Sequence, residues 1–207
     1  MKEKGFRRLG RPKDSDIKQP TNELILQEAL RLFLENGYLN VSIASVANKC
    51  DVTKASVYYY YASKAELFTE AMIMLMIRIR DQIQIFLEEE LPLKTRLVKI
   101  TKIHLEKTID IDVENYLKGA RKELSESQLE KIKQSEEEMY QVIESAFRQA
   151  IDIEEIRPFH PAFLTHSYVS LLKVGYMNKQ HPTLTYSVEE TAEQLIELLW
   201  HGINVTN

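Results

Sequence analysis

Thr53-Lys54-Ala55-Ser56 and, one turn further on, Tyr58-Tyr59 are the residues whose types and spacing could do chemistry in this 207-residue chain. That chemistry is non-covalent. Small side chains at the start of a short helix let its backbone approach the edges of another molecule, and Lys54 can pair with phosphate or guanine. The phenolic hydroxyls of Tyr58 and Tyr59 can donate to phosphate oxygens while their rings pack on sugars. Lys64 opens the next helix and can hold a phosphate from the far side. The run Tyr58 to Tyr61 could instead be a core stripe. Four successive tyrosines on a helix point in four directions, however, so at most two can be buried, and Tyr61 is expected to be the inward one.

Signals for covalent chemistry are missing from the sequence. It holds no Gly-rich phosphate loop, no G-x-S-x-G elbow and no zinc-binding motif. Five histidines and one cysteine show no metal-ligand spacing, and Glu136-Glu137-Glu138 sit on what reads as a solvated helix face. No enzymatic activity, cofactor or metal is expected.

The elements that must position Thr53 to Tyr59 are helical. Leu24, Ile25, Ala29, Leu32 and Phe33 recur at helical spacing from Thr21, the expected N-cap, and Gly37 closes that helix. Ser42 opens a short helix over 43–49 with Ile43, Val46 and Ala47 on one face. Asp51-Val52 makes a turn, and Thr53 caps a second short helix over 54–60. Ser63 and Glu66 form a capping box at the start of a long helix over 64–88, whose inward side carries Leu67, Phe68, Ala71, Met72, Leu75, Met76 and Ile79. Further helices are expected near 95–109, 113–124, 128–151, 161–177 and 188–203. The third of these has overlapping start signals at Ser125-x-x-Gln128 and Ser127-x-x-Glu130, and the last has a box at Ser187-x-x-Glu190. No useful alternating pattern exists, so the chain is expected to be all-α.

Composition agrees with a folded helical protein: 44% hydrophobic and 28% charged residues, six Gly and six Pro. No apolar run is long enough to span a membrane, and the basic N-terminus lacks the apolar run of a secretory signal. Cys50 alone excludes an intrachain disulfide and fits a reducing cytosol. The net charge of −4 is uneven. Residues 1–64 hold 11 basic and 7 acidic groups, whereas 65–207 hold 16 and 24. A basic head on an acidic body points to a polyanionic partner for the head.

The stretches "ILQEALRLFLENGY" and "VSIASVANKCDVTKASVYYYYASKAELF" closely resemble the TetR family of bacterial repressors over residues 21–68. The resemblance implies an arm over 1–20, a three-helix helix-turn-helix domain over 21–66 with its reading motif near 42–61, and a larger helical ligand-binding and dimerisation domain over 67–207. Carried over by position, Ser42, Thr53, Tyr58 and Lys64 would contact phosphates. Lys54, Ala55, Ser56 and Tyr59 would lie near base edges, and Val46, Ala47, Val57, Tyr61 and Leu67 would be core. Asp51 stands where the family usually has Gly, and Tyr61 where it usually has Phe. Asp tolerates a left-handed turn, but the Tyr61 hydroxyl needs a partner. In the arm, Arg11, with Arg7 and Arg8, could enter an A·T-rich minor groove or merely add electrostatic attraction.

The implied function is a bacterial cytoplasmic, sequence-specific regulator of transcription, a homodimeric, ligand-responsive repressor released from a palindromic operator by a small molecule. Two heads spaced about one helical turn apart need a dimer, expected through 161–177 and 188–203. Candidate effector contacts are His104, Tyr116, Tyr140, Phe147, Phe163 and His166, a mixture that suits an apolar or aromatic ligand and equally an ordinary core. The alternative is an architectural protein that coats DNA without an effector.

Overall fold

The computed structural model describes residues 20–107, 113–179 and 186–204. They form helices α1 (Thr21–Asn40), α2 (Ile43–Lys49), α3 (Lys54–Tyr60), α4 (Lys64–Leu87), α5 (Leu93–Lys107), α6 (Val113–Leu117), α7 (Glu126–Asp152), α8 (Pro161–Lys179) and α9 (Val188–Ile203). Among the described residues there is no strand; a single bridge pairs Ile156 with Asn204. The all-α expectation holds.

Local chemistry sets the boundaries. Gly37, at φ 74°, breaks α1 in a backbone conformation that costs a glycine little. The Ser42 hydroxyl accepts from the Ser45 amide at 3.0 Å, and the Thr53 hydroxyl from the Ser56 amide at 3.1 Å. Between them Asp51 takes the left-handed turn at φ 54°. Boxes at Ser125/Gln128 and Ser187/Glu190 start α7 and α9.

Four local expectations are corrected. Pro20, rather than Thr21, precedes the first turn of α1, and no side chain caps it; the Pro20 carbonyl accepts from the Leu24 amide instead. Glu66 reaches back to the Ala62 amide at 2.7 Å, one residue beyond the Ser63 amide. The Ser127 signal is passed over because Ser125 captures Gln128 first. The helix expected over 113–124 stops at Leu117 and continues as turns held by the Leu117 and Ala120 carbonyls.

One apolar core fills the N-terminal end. Phe33, Tyr38 and Phe68 pack edge-on or stacked with ring centroids 5.0–6.0 Å apart, around Ile25, Val46, Val57, Leu67 and Met72. Each such side chain contributes about 1.5–3 kcal/mol by leaving water. This core continues into Val113, Leu117, Ala120, Leu124 and Ile132 of α6, its following turns and α7. A second core joins α4, α5, α7, α8 and α9 around Phe147, Tyr168 and Ile196. At Gly175 helix α8 comes so close to its neighbours that an added Cβ would lie 2.7 Å from Leu195 Cδ1 and 2.9 Å from Leu105 Cδ2. Helix α4, about 36 Å long at the usual rise per residue, belongs to both cores.

Candidate nucleic-acid interface and effector cleft

Helix α3 stands at the surface because only one of its residues is needed inside. Val57 is fully buried and anchors the helix on α1 and α2. Lys54, Ala55, Tyr58, Tyr59 and Tyr60 face outward, and Ser56 is half-buried. Tyr59 is 82% exposed, so it cannot be a packing residue; its ring meets Tyr60 edge-on at 4.9 Å. Tyr61 turns inward, as its direction requires, and its hydroxyl donates to the Asn22 carbonyl at 3.2 Å. That contact is the partner the extra hydroxyl needs. Cys50 is buried near the Leu24 carbonyl, and burial pushes its thiol above the ordinary range.

Ser42, Lys54, Tyr58 and Lys64, from the starts of α2, α3 and α4 and from the middle of α3, line one shallow depression floored by Val41 and Ile43. Residues 22 positions apart in sequence thus share one surface. Lys64 Nζ rests 4.0 Å above the centroid of the Tyr38 ring, an attraction that prepositions the ammonium at little cost. The Tyr38 hydroxyl in turn donates to Glu123 Oε2 at 2.7 Å. Burial first, and this carboxylate second, hold the Tyr38 phenol well above its ordinary pKa. The Thr53 hydroxyl lies 2.9 Å from the Ser56 hydroxyl. Arg11 lies outside the described residues.

The effector candidates are dispersed. His104 lines a cleft of about 330 Å³ between α1, α4, α5 and α8. Tyr116 packs on the first core. Tyr140 donates to Glu136 at 3.1 Å and meets the His166 ring edge-on at 5.5 Å. Phe147 is fully buried against Tyr168, so it is core. Phe163, 62% exposed, and His166 lie on the outer face of α8. Only His104 therefore reaches the cleft, and the other five do not come together there.

Sequence reasoning missed most of the cleft. Its apolar wall includes Leu30, Leu34, Leu75, Ile79, Ile83, Phe86, Ile100, Ile103 and Leu172, and its polar edge has Gln27, Arg31, Arg78, Gln82 and Lys107. The available signal was Arg78 and Gln82 interrupting the apolar stripe of α4 beside Ile79 and Phe86. Arg31 is paired with Glu28 and Glu35 at 2.9 and 2.8 Å, and Lys107 Nζ donates to Gln82 at 2.5 Å. No group of His, Cys, Asp and Glu among the described residues could hold a metal, and no described helix is long and apolar enough to cross a membrane.

This arrangement of two capped short helices, a broken first helix and a long connecting helix coincides with a known family. Residues 25–71 match the family described as "Bacterial regulatory proteins, tetR family". Over that segment the chain carries a TetR-type DNA-binding region. Among TetR-family and other helix-turn-helix relatives, an uncharacterised HTH-type transcriptional regulator, YhgD of Bacillus subtilis, is 28% identical over 182 residues, covering 85% of this chain and 92% of its own. Two solved structures share the fold. Reduced NemR of E. coli superposes with a TM-score of 0.75 at 16% identity, covering 91% of this chain and all of its own. Bacillus subtilis FadR, solved with stearoyl-CoA, gives 0.69 at 17%, covering 88% and 99%. With that head region and the YhgD match over most of its length, the chain is a DNA-binding transcriptional regulator.

Proposed function

We propose that the protein is a homodimeric, sequence-specific regulator that a small molecule releases from a palindromic operator. The observation that carries the reading is the convergence of Ser42, Lys54, Tyr58 and Lys64 beside the exposed start of α3. Lys64, Tyr58, Ser42 and Thr53 serve phosphates, while Lys54, Ala55, Ser56 and Tyr59 face base edges. The domain from Leu67 onward binds the effector and dimerises.

Pairing of two chains is supported by an apolar outer face. Phe163, Ser170 and Val174 share one side of α8, and Leu198 is exposed on α9; Phe163, Val174 and Leu198 are 62%, 46% and 68% exposed. Exposed large apolar residues grouped on adjacent helices mark a contact surface. Replacing both Phe163 and Leu198 by Glu should leave a folded monomer in sedimentation; a persistent dimer would move the interface elsewhere.

Control by a ligand is supported by the cleft, whose walls come from α1 of the head as well as α4, α5 and α8. A molecule lodged there touches the head directly, and FadR shows that this fold can accommodate a small molecule. Ligand and DNA then compete for the spacing of the heads, which requires ligand affinity to differ between the two states. Selection of bound sites from a random duplex library at near-physiological salt tests the main reading. A palindromic consensus supports it; no enrichment overturns it in favour of a DNA-coating protein.

A further inference from the structure

From the charge of its edge, we infer that the cleft between α1, α4, α5 and α8 binds an anionic amphiphile: a carboxylate or phosphate head on a compact apolar tail. The inference rests on the reading of this cleft as the effector site and adds the chemistry of its ligand.

The tail region is set by Leu75, Ile79, Ile83, Phe86, Ile103 and Leu172, none of which carries a polar side-chain atom. Ile79, Phe86 and Ile103 are only half-buried, so apolar surface remains to be covered by an occupant. At about 330 Å³ the cleft lies at the small end of ligand pockets, which run from about 300 to 1,000 Å³. A medium-length chain suits it better than a large cofactor.

The head group is set by charge. The ionisable side chains lining the cleft are Arg31, Arg78, His104 and Lys107, with no carboxylate among the described residues. Arg31 is already matched by Glu28 and Glu35, so the useful cations are Arg78 and Lys107. Gln82 accepts from Lys107, which holds the ammonium at the cleft without neutralising it. A guanidinium and an ammonium flanking an apolar wall favour an anion and disfavour a cation of the same shape. Arg78 lies on α4 and Lys107 ends α5, so one head group would join two helices that the tail alone only touches. Arg78 also precedes Ile79 on the helix that begins at Lys64, which connects the occupant to the DNA-facing end through one rigid element.

Three probes with one tail separate charge from hydrophobicity: decanoate, 1-decanol and decylammonium, each below its aggregation limit. Isothermal calorimetry on the full chain should show decanoate binding at least tenfold tighter than decanol, with decylammonium weakest. Arg78→Gln and Lys107→Gln should each weaken decanoate roughly tenfold, the scale of one charge-assisted hydrogen bond, and leave decanol unchanged. Ile103→Trp, at a half-buried position, should abolish binding of all three while far-ultraviolet dichroism and thermal unfolding show the chain folded. Decanol binding as tightly as decanoate, with both lost in Ile103→Trp, overturns the anion preference and keeps the cleft as effector site. Decanoate bound with operator affinity unchanged upholds the ligand class and overturns release by ligand. No binding by any probe overturns the inference, including the case in which a second copy of the chain covers the cleft.

Discussion

Lys64→Gln tests the DNA-facing surface most directly. The ammonium sits 4.0 Å above the Tyr38 ring and lines the same depression as Ser42, Lys54 and Tyr58. If it neutralises one phosphate, each chain loses about 0.9 of the slope of log K against log salt, and a dimer about 1.8. Between 50 and 200 mM KCl, a fourfold change, the affinity of the variant should therefore fall about twelvefold less than that of the wild type. The loss should be uniform across operator variants, because phosphate contacts carry no sequence information directly. Folding stability should change by no more than about 1 kcal/mol, the usual scale of a cation over an exposed ring. Fluorescence anisotropy with a labelled selected site, measured at four salt concentrations, supplies the slopes. Tyr38→Phe is the control: it keeps the ring under Lys64 but removes the hydroxyl bound to Glu123. An unchanged slope in Lys64→Gln would refute the phosphate contact, and a change in base preference would move Lys64 to the base edges.

Other outcomes follow from single contacts. Asp51 holds φ 54°, so Asp51→Val should cost about 1–2 kcal/mol in urea unfolding, whereas Asp51→Gly should stay within about 0.5 kcal/mol; equal losses would remove the backbone argument. Tyr61→Phe deletes one long hydrogen bond to Asn22 and should cost about 0.5–1 kcal/mol, with operator affinity unchanged; a large loss of affinity would make Tyr61 a DNA contact. Burial, above all, raises the phenols of Tyr38, Tyr61 and Tyr168. A phenol with a raised folded pKa stabilises below its unfolded value near 10 and ceases to do so as pH climbs through the folded value. Stability should hold to about pH 9 and fall above about 10, less steeply in Tyr168→Phe by up to about 1.4 kcal/mol per pH unit. An identical alkaline slope in that variant would show that Tyr168 ionises equally in the folded and unfolded states.

The DNA-facing half was readable because its signals are local. Ser42, Thr53 and Ser63 each cap within three residues, and the direction of four consecutive tyrosines decides which one is inside. The cleft was not readable, because its walls come from four helices separated by long stretches of chain. In the sequence, Ile79 and Phe86 look no different from Met72 and Met76, yet the latter are fully buried and the former face open space. His104 was found because a polar residue interrupts an apolar face. Phe163 and His166 were misplaced as possible walls because helical periodicity gives a face without saying which neighbour covers it. Thr21 does not serve as the expected N-cap for a similar reason: a hydroxyl marks a helix start, but Pro20 already supplies the extended residue before the first turn.

The core that runs from Phe33 and Phe68 into Leu117, Ala120, Leu124 and Ile132 bears on how such regulators can be recombined. A graft that carries only residues 21–66 onto a foreign body would leave Val46 and Val57 anchored but would strip the far wall from Phe33 and Tyr38. The transferable unit is discontinuous: it comprises the three N-terminal helices, the first turns of α4, and the segment from Val113 to Ile132. Exchanging operator specificity between relatives should therefore succeed by replacing the outward residues of α3 in place, and fail when the head is moved as a block.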